Sequence, residues 1–129
     1  MTATRRRLDR ERWHFQHGPI DCIVSAAGDA DAVAAASERA WLRFRAILAE
    51  LVAELALLRA DRSATPSPAH PVGAVARRMV DACAPHAADG RFITAMAAVA
   101  GSVAEEIVAA FAAPGIARAA VNNGGDIAL

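Results

Sequence analysis

At 129 residues, with 55% hydrophobic and 22% charged content, the chain is long enough for one small domain and too apolar to be disordered. Fourteen basic side chains balance fourteen acidic ones, so the formal net charge is zero, which excludes a strongly basic nucleic-acid surface and an acidic tail for a basic partner. Every basic residue is arginine, and the absence of lysine excludes a lysine Schiff base or a catalytic lysine. Cys22 and Cys83 stand far apart without metal-ligand spacing and read as small buried hydrophobes. No apolar run reaches the length of a membrane span, and the charged start, Met1 to Arg12, lacks the apolar stretch of a secretory signal. A cytoplasmic protein is expected, with no membrane and no nucleic acid as partner.

Residues 1–11 carry Arg5, Arg6, Arg7 and Arg10, with Arg12 just beyond, and such a charge run predicts a solvated, flexible tail. The domain proper is expected over 12–129. Trp13, Phe15 and His17 alternate with His14 and Gln16, the pattern of a strand. After Gly18-Pro19 a second strand, Ile20 to Ala26, puts Ile20, Cys22 and Val24 on one side and Asp21, Ile23 and Ser25 on the other. The two runs form a hairpin. His14 and His17 point to opposite faces and cannot converge on one ion. Asp21 reads as an edge-strand polar residue or a hydrogen-bond anchor.

From Ala30 to about Ala60 the apolar residues Trp41, Phe44, Leu48, Leu51, Leu55 and Leu58 step by three and four, predicting one long helix with a broad buried stripe. Asp29 and Asp31 suit its N-terminal end. Residues 61–72, rich in proline and serine, form a linker. A second helix is expected from Gly73 to about Cys83, ended by Pro85, followed by a polar loop from His86 to Gly90. A third, Ala95 to about Ala112, has small residues on nearly every turn. Gly101 in its interior costs roughly 1 kcal/mol relative to alanine, which suggests that a ligand, strand or helix comes close there. Glu105 and Glu106, about 100° apart around the helix, cannot work as a carboxylate pair. Pro114-Gly115 ends the helix, and Ile116 to Val121 is a strand.

That strand runs into Asn122-Asn123-Gly124-Gly125-Asp126-Ile127, around which the last third of the chain is organised. Paired glycines permit positive φ and close ligand approach; exposed N–H groups in such a turn can cradle an anion. The same signature is also the strongest short signal for a plain β-hairpin. Both readings stand on the local pattern.

The helix Phe92-Ile93-Thr94-Ala95-Met96-Ala97-Ala98-Val99-Ala100-Gly101-Ser102, followed by the Asn-Asn-Gly-Gly-Asp turn, resembles the ApbE superfamily of FAD:protein FMN transferases, and within it an uncharacterised-protein branch. The resemblance implies an ApbE-like α+β fold: an antiparallel or mixed sheet of the 13–17, 20–26 and 116–121 runs, packed on the long helix and the small-residue helix. It implies an incomplete domain, since the superfamily's Mg²⁺ ligands and active-site segment lie later in the chain, so Mg²⁺ belongs only to a longer form of the protein. It also implies a flavin pocket, for FAD or FMN, lined by Asn122, Asn123, Gly124, Gly125, Asp126, Met96, Gly101 and Ser102. The superfamily's Lys-Gly pair on this helix, with an Asp four residues on, is replaced by Ala100-Gly101 and Glu105, so the charged group is lost.

The expected function is binding of a flavin or other nucleotide at the glycine turn, with no catalytic residue assignable. Two alternatives stand beside it: a non-catalytic structural or interaction subunit whose glycine turn is purely structural, and a metabolic enzyme using a non-flavin ligand. The C-terminal strand is expected to expose an unpaired edge, a route to a homo-oligomer.

Overall fold

Period-two alternation between Trp13 and Ala26 requires a surface on which to lay the apolar side, and the helices in the middle of the chain supply it. The computed structural model describes residues 1–129. Its elements are β1 (Thr4–Arg7), β2 (Arg12–His17), β3 (Ile20–Gly28), α1 (Ala30–Ala53), α2 (Leu55–Arg59), α3 (Ala74–Ala88), a 3-10 helix (Ala95–Ala98), α4 (Val99–Ala109), β4 (Ile116–Asn123) and β5 (Asp126–Ala128). The strands make one antiparallel sheet in the order β1-β2-β3-β4-β5, with every helix inserted between β3 and β4. The fold is α+β.

Register fixes which side chains meet. Phe15 lies opposite Cys22, Trp13 opposite Val24, Val24 opposite Val121, and Val121 opposite Ala128. This face is covered by helices and carries the core. The alternate positions Arg12, Gln16, Asp21, Asn122 and Ile127 are exposed on the other face. There the His14 imidazole meets the Asp21 carboxylate at 2.7 Å, so Asp21 anchors a cross-strand contact. Under the helices, the Phe15 ring centroid lies 5.3 Å from those of both Trp41 and Phe44. Aromatic packing of this kind adds about 0.5–1.5 kcal/mol per pair beyond burial.

Residues 4–7, expected in a flexible tail, form the edge strand β1, paired from Thr4 opposite Gln16 to Arg7 opposite Trp13. The reason is that arginine stems are apolar and guanidinium planes stack on indole. Arg5 sits 5.5 Å from the Trp13 ring centroid and 5.1 Å from that of Trp41; Arg7 sits 5.5 Å from Trp13. Arg5 also binds Glu38 of α1 at 2.6 Å.

The long helix breaks at Glu54, whose backbone leaves helical geometry, and Leu55–Arg59 continue as a separate short helix. The Glu54 carboxylate instead accepts hydrogen bonds from the N–H groups of Val72 (2.7 Å) and Gly73 (3.0 Å) at the start of α3. Those two bonds hold its carboxyl below its ordinary range. Between the two lies the segment 61–72, without helix or regular strand apart from one bridge of Asp61 to Thr94. Helix α3 runs on to Ala88, through Pro85, because the ring and the carbonyl it leaves unpaired, that of Asp81, both lie on the exposed side, where water can serve. Asp29 makes no side-chain cap; its N–H donates to Gly115 O at 2.8 Å. A Cβ on Gly28 (φ +149) would stand 2.2 Å from that same carbonyl oxygen, so only glycine allows this approach of the end of β3 to the start of β4.

Candidate functional site

The small-residue helix expected from Ala95 divides in two. Ala98 departs from helical angles, leaving the 3-10 turn before it and α4 after it. Ser102, Val103, Ala104 and Ile107 are buried, so α4 can lie close against the sheet. Beside them, Glu106 sits between Arg43 of α1 (3.3 Å) and Arg78 of α3 (3.9 Å), while Glu105 meets Arg78 at 3.5 Å. These two carboxylates tie α4 to α1 and α3. Burial is the reason the Cys22 thiol, opposite Asn123 in the sheet, is pushed up to about 12, with Asp21 adding to it; burial also raises the Cys83 thiol. Neither is a thiolate near neutral pH. No three His, Cys, Asp or Glu side chains gather in a way that could hold a metal ion.

The glycine turn is tighter than the sequence suggested. Asn122 and Asn123 belong to β4 and Asp126 opens β5, with Asn123 paired to Asp126. Only Gly124 (φ +61) and Gly125 (φ +103) remain as the loop. Two successive positive φ values in a two-residue loop are those of a type I′ hairpin, which matches the twist of the strands. The Asn122 side-chain oxygen accepts from Gly125 N–H at 2.8 Å and braces the turn. Asn123, 7% exposed, turns the other way, and its amide donates to Ala100 O in α4 at 3.2 Å.

The expected site residues therefore come together only in part. Asn123 joins the hairpin to the beginning of α4, where Gly101 is half-buried and Ser102 buried. Asp126 shares the Asn123 pair, and Asn122 faces the uncovered side of the sheet. Met96 lies in the preceding 3-10 helix, 37% exposed. A Cβ built at Gly101, Gly124 or Gly125 meets open space. The close packing that Gly101 suggested is thus not supplied by another part of the chain.

Sequence reasoning missed a second region. A cleft of about 580 Å³ lies between β1, the turn after it, the end of β3 and the first turns of α1; Arg5, Arg7, Arg10, Trp13, Val33 and Glu38 are among its lining. The signal was present in the alternation of Arg5 and Arg7, which continues into Trp13 and Phe15 as strand spacing.

A protein-family model described as AbpE bacteria matches residues 5–129, nearly the whole chain. The chain belongs to the AbpE bacteria family. No curated protein and no solved structure matches it. The AbpE bacteria match overturns the resemblance to the ApbE superfamily, a different family. That resemblance rested on one small-residue helix and one glycine turn. Both have local causes in this AbpE bacteria chain: α4 needs small residues to approach the sheet, and the type I′ turn needs its glycines. The ApbE-like label on the fold is withdrawn with it. No helix is long and apolar enough to cross a membrane.

Proposed function

We propose that the protein binds a phosphate-bearing small ligand of the nucleotide or flavin class where the Gly124-Gly125 hairpin meets the start of α4. The observation that carries this is the Asn123 amide bond to Ala100 O, which joins a hairpin of two glycines to the first turn of α4, where Gly101 lies, beside open space at all three glycines. Backbone without Cβ atoms admits a ligand closely, and helix-start and turn N–H groups favour anions. The reading is one of binding and assigns no catalytic residue.

Isothermal titration of the full chain with FAD, FMN and ADP tests it. At least one should bind, and Gly101→Leu, which fills the open space without demanding positive φ, should weaken that binding by about tenfold or more while the circular dichroism spectrum stays unchanged. Equal affinity in wild type and variant would refute the assignment. A second reading, a non-catalytic structural or interaction protein, is favoured by the turn type, which accounts for both glycines with no ligand. Its self-association would run through β5 at the sheet edge, where Ile127 is 63% exposed. No heat with any of the three ligands, together with a concentration-dependent oligomer by sedimentation, would select it.

A further inference from the structure

We infer that the cleft between β1 and α1 is a separate anion site, built to hold the phosphoryl group of a small phosphorylated molecule. It is independent of the hairpin reading.

The inference starts from how the arginines of the cleft are spent. Arg12 and Arg118, just outside it, are neutralised by Asp9 (2.8 Å) and Glu11 (3.3 Å). Asp9 also accepts from the N–H groups of Glu11 and Arg12, so its carboxylate is fully occupied. Arg5 is paired with Glu38. Arg7 and Arg10 have no carboxylate partner. Arg7 donates instead to the carbonyls of Asp9 and Arg10, both at 3.1 Å, and its guanidinium is stacked on Trp13. Those contacts fix its plane in advance. The Arg10 side chain makes no hydrogen bond within the chain and lines the same cleft.

Stacking on an indole constrains a guanidinium but leaves its N–H edge free, and that edge matches two oxygens of a phosphate. Trp13 carries both Arg5 and Arg7; Arg7 keeps Nη1 and one Nη2 N–H beyond its two carbonyl bonds, Arg5 keeps the N–H groups not turned to Glu38, and the Arg10 guanidinium keeps all of its own. Trp13, Val33 and the alanines of α1 give the cleft an apolar wall, suited to an organic body attached to the phosphate. A net charge of zero for the chain fits a small ligand better than a polyanion. Two carboxylates line the cleft: Glu11 is held by Arg118, and Glu38 is the competitor, holding Arg5 until an oxyanion takes its place.

The probe is inorganic pyrophosphate, titrated into the full chain at constant ionic strength and followed by calorimetry and by tryptophan fluorescence, since Trp13 lines the cleft. Saturable binding with a fluorescence change is expected. Arg10→Gln, which removes no internal bond, should weaken it by about tenfold, the effect of one charge-assisted hydrogen bond. Glu38→Gln should tighten it, and Arg91→Gln, an exposed arginine elsewhere, should leave it unchanged. Gly101→Leu should also leave it unchanged, which separates this site from the hairpin. No saturable signal, or an equal loss in Arg10→Gln and Arg91→Gln, would overturn the proposal. So would tighter binding of a single-stranded oligonucleotide than of pyrophosphate through the same Arg10, which would make the cleft a polyanion surface.

Discussion

The two edges of the sheet are made by opposite means. At the β1–β2 edge, bulk does the work: Phe15, Trp41 and Phe44 fill the space under the sheet, and arginines seal the rim by stacking on indole. At the β4–β5 edge, closeness does the work: Ser102, Val103 and Ala104 bring α4 near the strands, and an asparagine amide bonds directly to a helix carbonyl. The first edge can lose atoms only by opening a hole. The second can gain atoms at its buried positions, Ser102, Val103 and Ala104, only by pushing the helix away. It is the second that leaves backbone exposed, around Gly101, Gly124 and Gly125, while the first offers charged side chains in a cleft.

Opposite substitutions should break the two edges. Phe44→Ala is expected to be the most damaging, at about 3–5 kcal/mol in a urea titration, because its fully buried ring leaves a cavity. Ala104→Leu should cost about 1–3 kcal/mol by overpacking, although it adds apolar area. A stabilised Ala104→Leu variant would mean that the β4–β5 edge is not closely packed. Glu54→Gln, which weakens the tie between the end of α1 and the start of α3, should cost about 1 kcal/mol, as loss of an exposed helix cap does. The smallest effect is Gly101→Ala, expected to raise stability by up to about 1 kcal/mol, since it adds helix propensity into open space.

Acid should act on the loops that join the helices before it acts on the sheet. The carboxyls of Glu54 and Asp61 are both held below their ordinary values of 4.5 and 3.8, Glu54 by the N–H groups of Val72 and Gly73, and Asp61 first by Ser63 N–H. A lowered folded-state value means that the contribution is fully present above the unfolded value and is lost as pH falls through the folded one. Urea midpoints should therefore be level from neutrality to about pH 5 and fall below about pH 4. The fall should be shallower in Glu54→Gln. A slope unchanged by that substitution would assign the acid sensitivity elsewhere, for instance to Asp9, held down chiefly by Arg12.

Period and turn chemistry made much of this legible in advance. The faces of β2 and β3, the α1 stripe through Trp41 and Phe44, the strand before the glycines and the α+β class all follow from spacing. What spacing could not convey were contacts between distant residues. Glu54 leaves a helical pattern because of N–H groups eighteen and nineteen positions on. Arg5 and Arg7 look like solvated charge until Trp13 and Trp41 are known to lie beneath them. The glycine turn is legible, but the hairpin that the structure shows and the anion cradle proposed for it share one local signature. The family reading erred for a related reason: two short motifs carry the needs of packing as readily as those of descent.

The antiparallel contact of β3 with β4 brings Cys22 opposite Asn123 and Gly28 opposite Ile116, so residues on either side of the whole helical insert close the sheet. A nick in the exposed stretch Ala64 to Ser67 would part the chain into two pieces, neither holding both central strands. Left alone, β4 and β5 would be a single hairpin, marginal in water. The C-terminal half should thus lose its strands when apart and regain them on mixing, while β1–β3 and α1 stay in one piece. The central seam is therefore where the two pieces must rejoin, and recovery of the β-strand circular dichroism signal on mixing would report it.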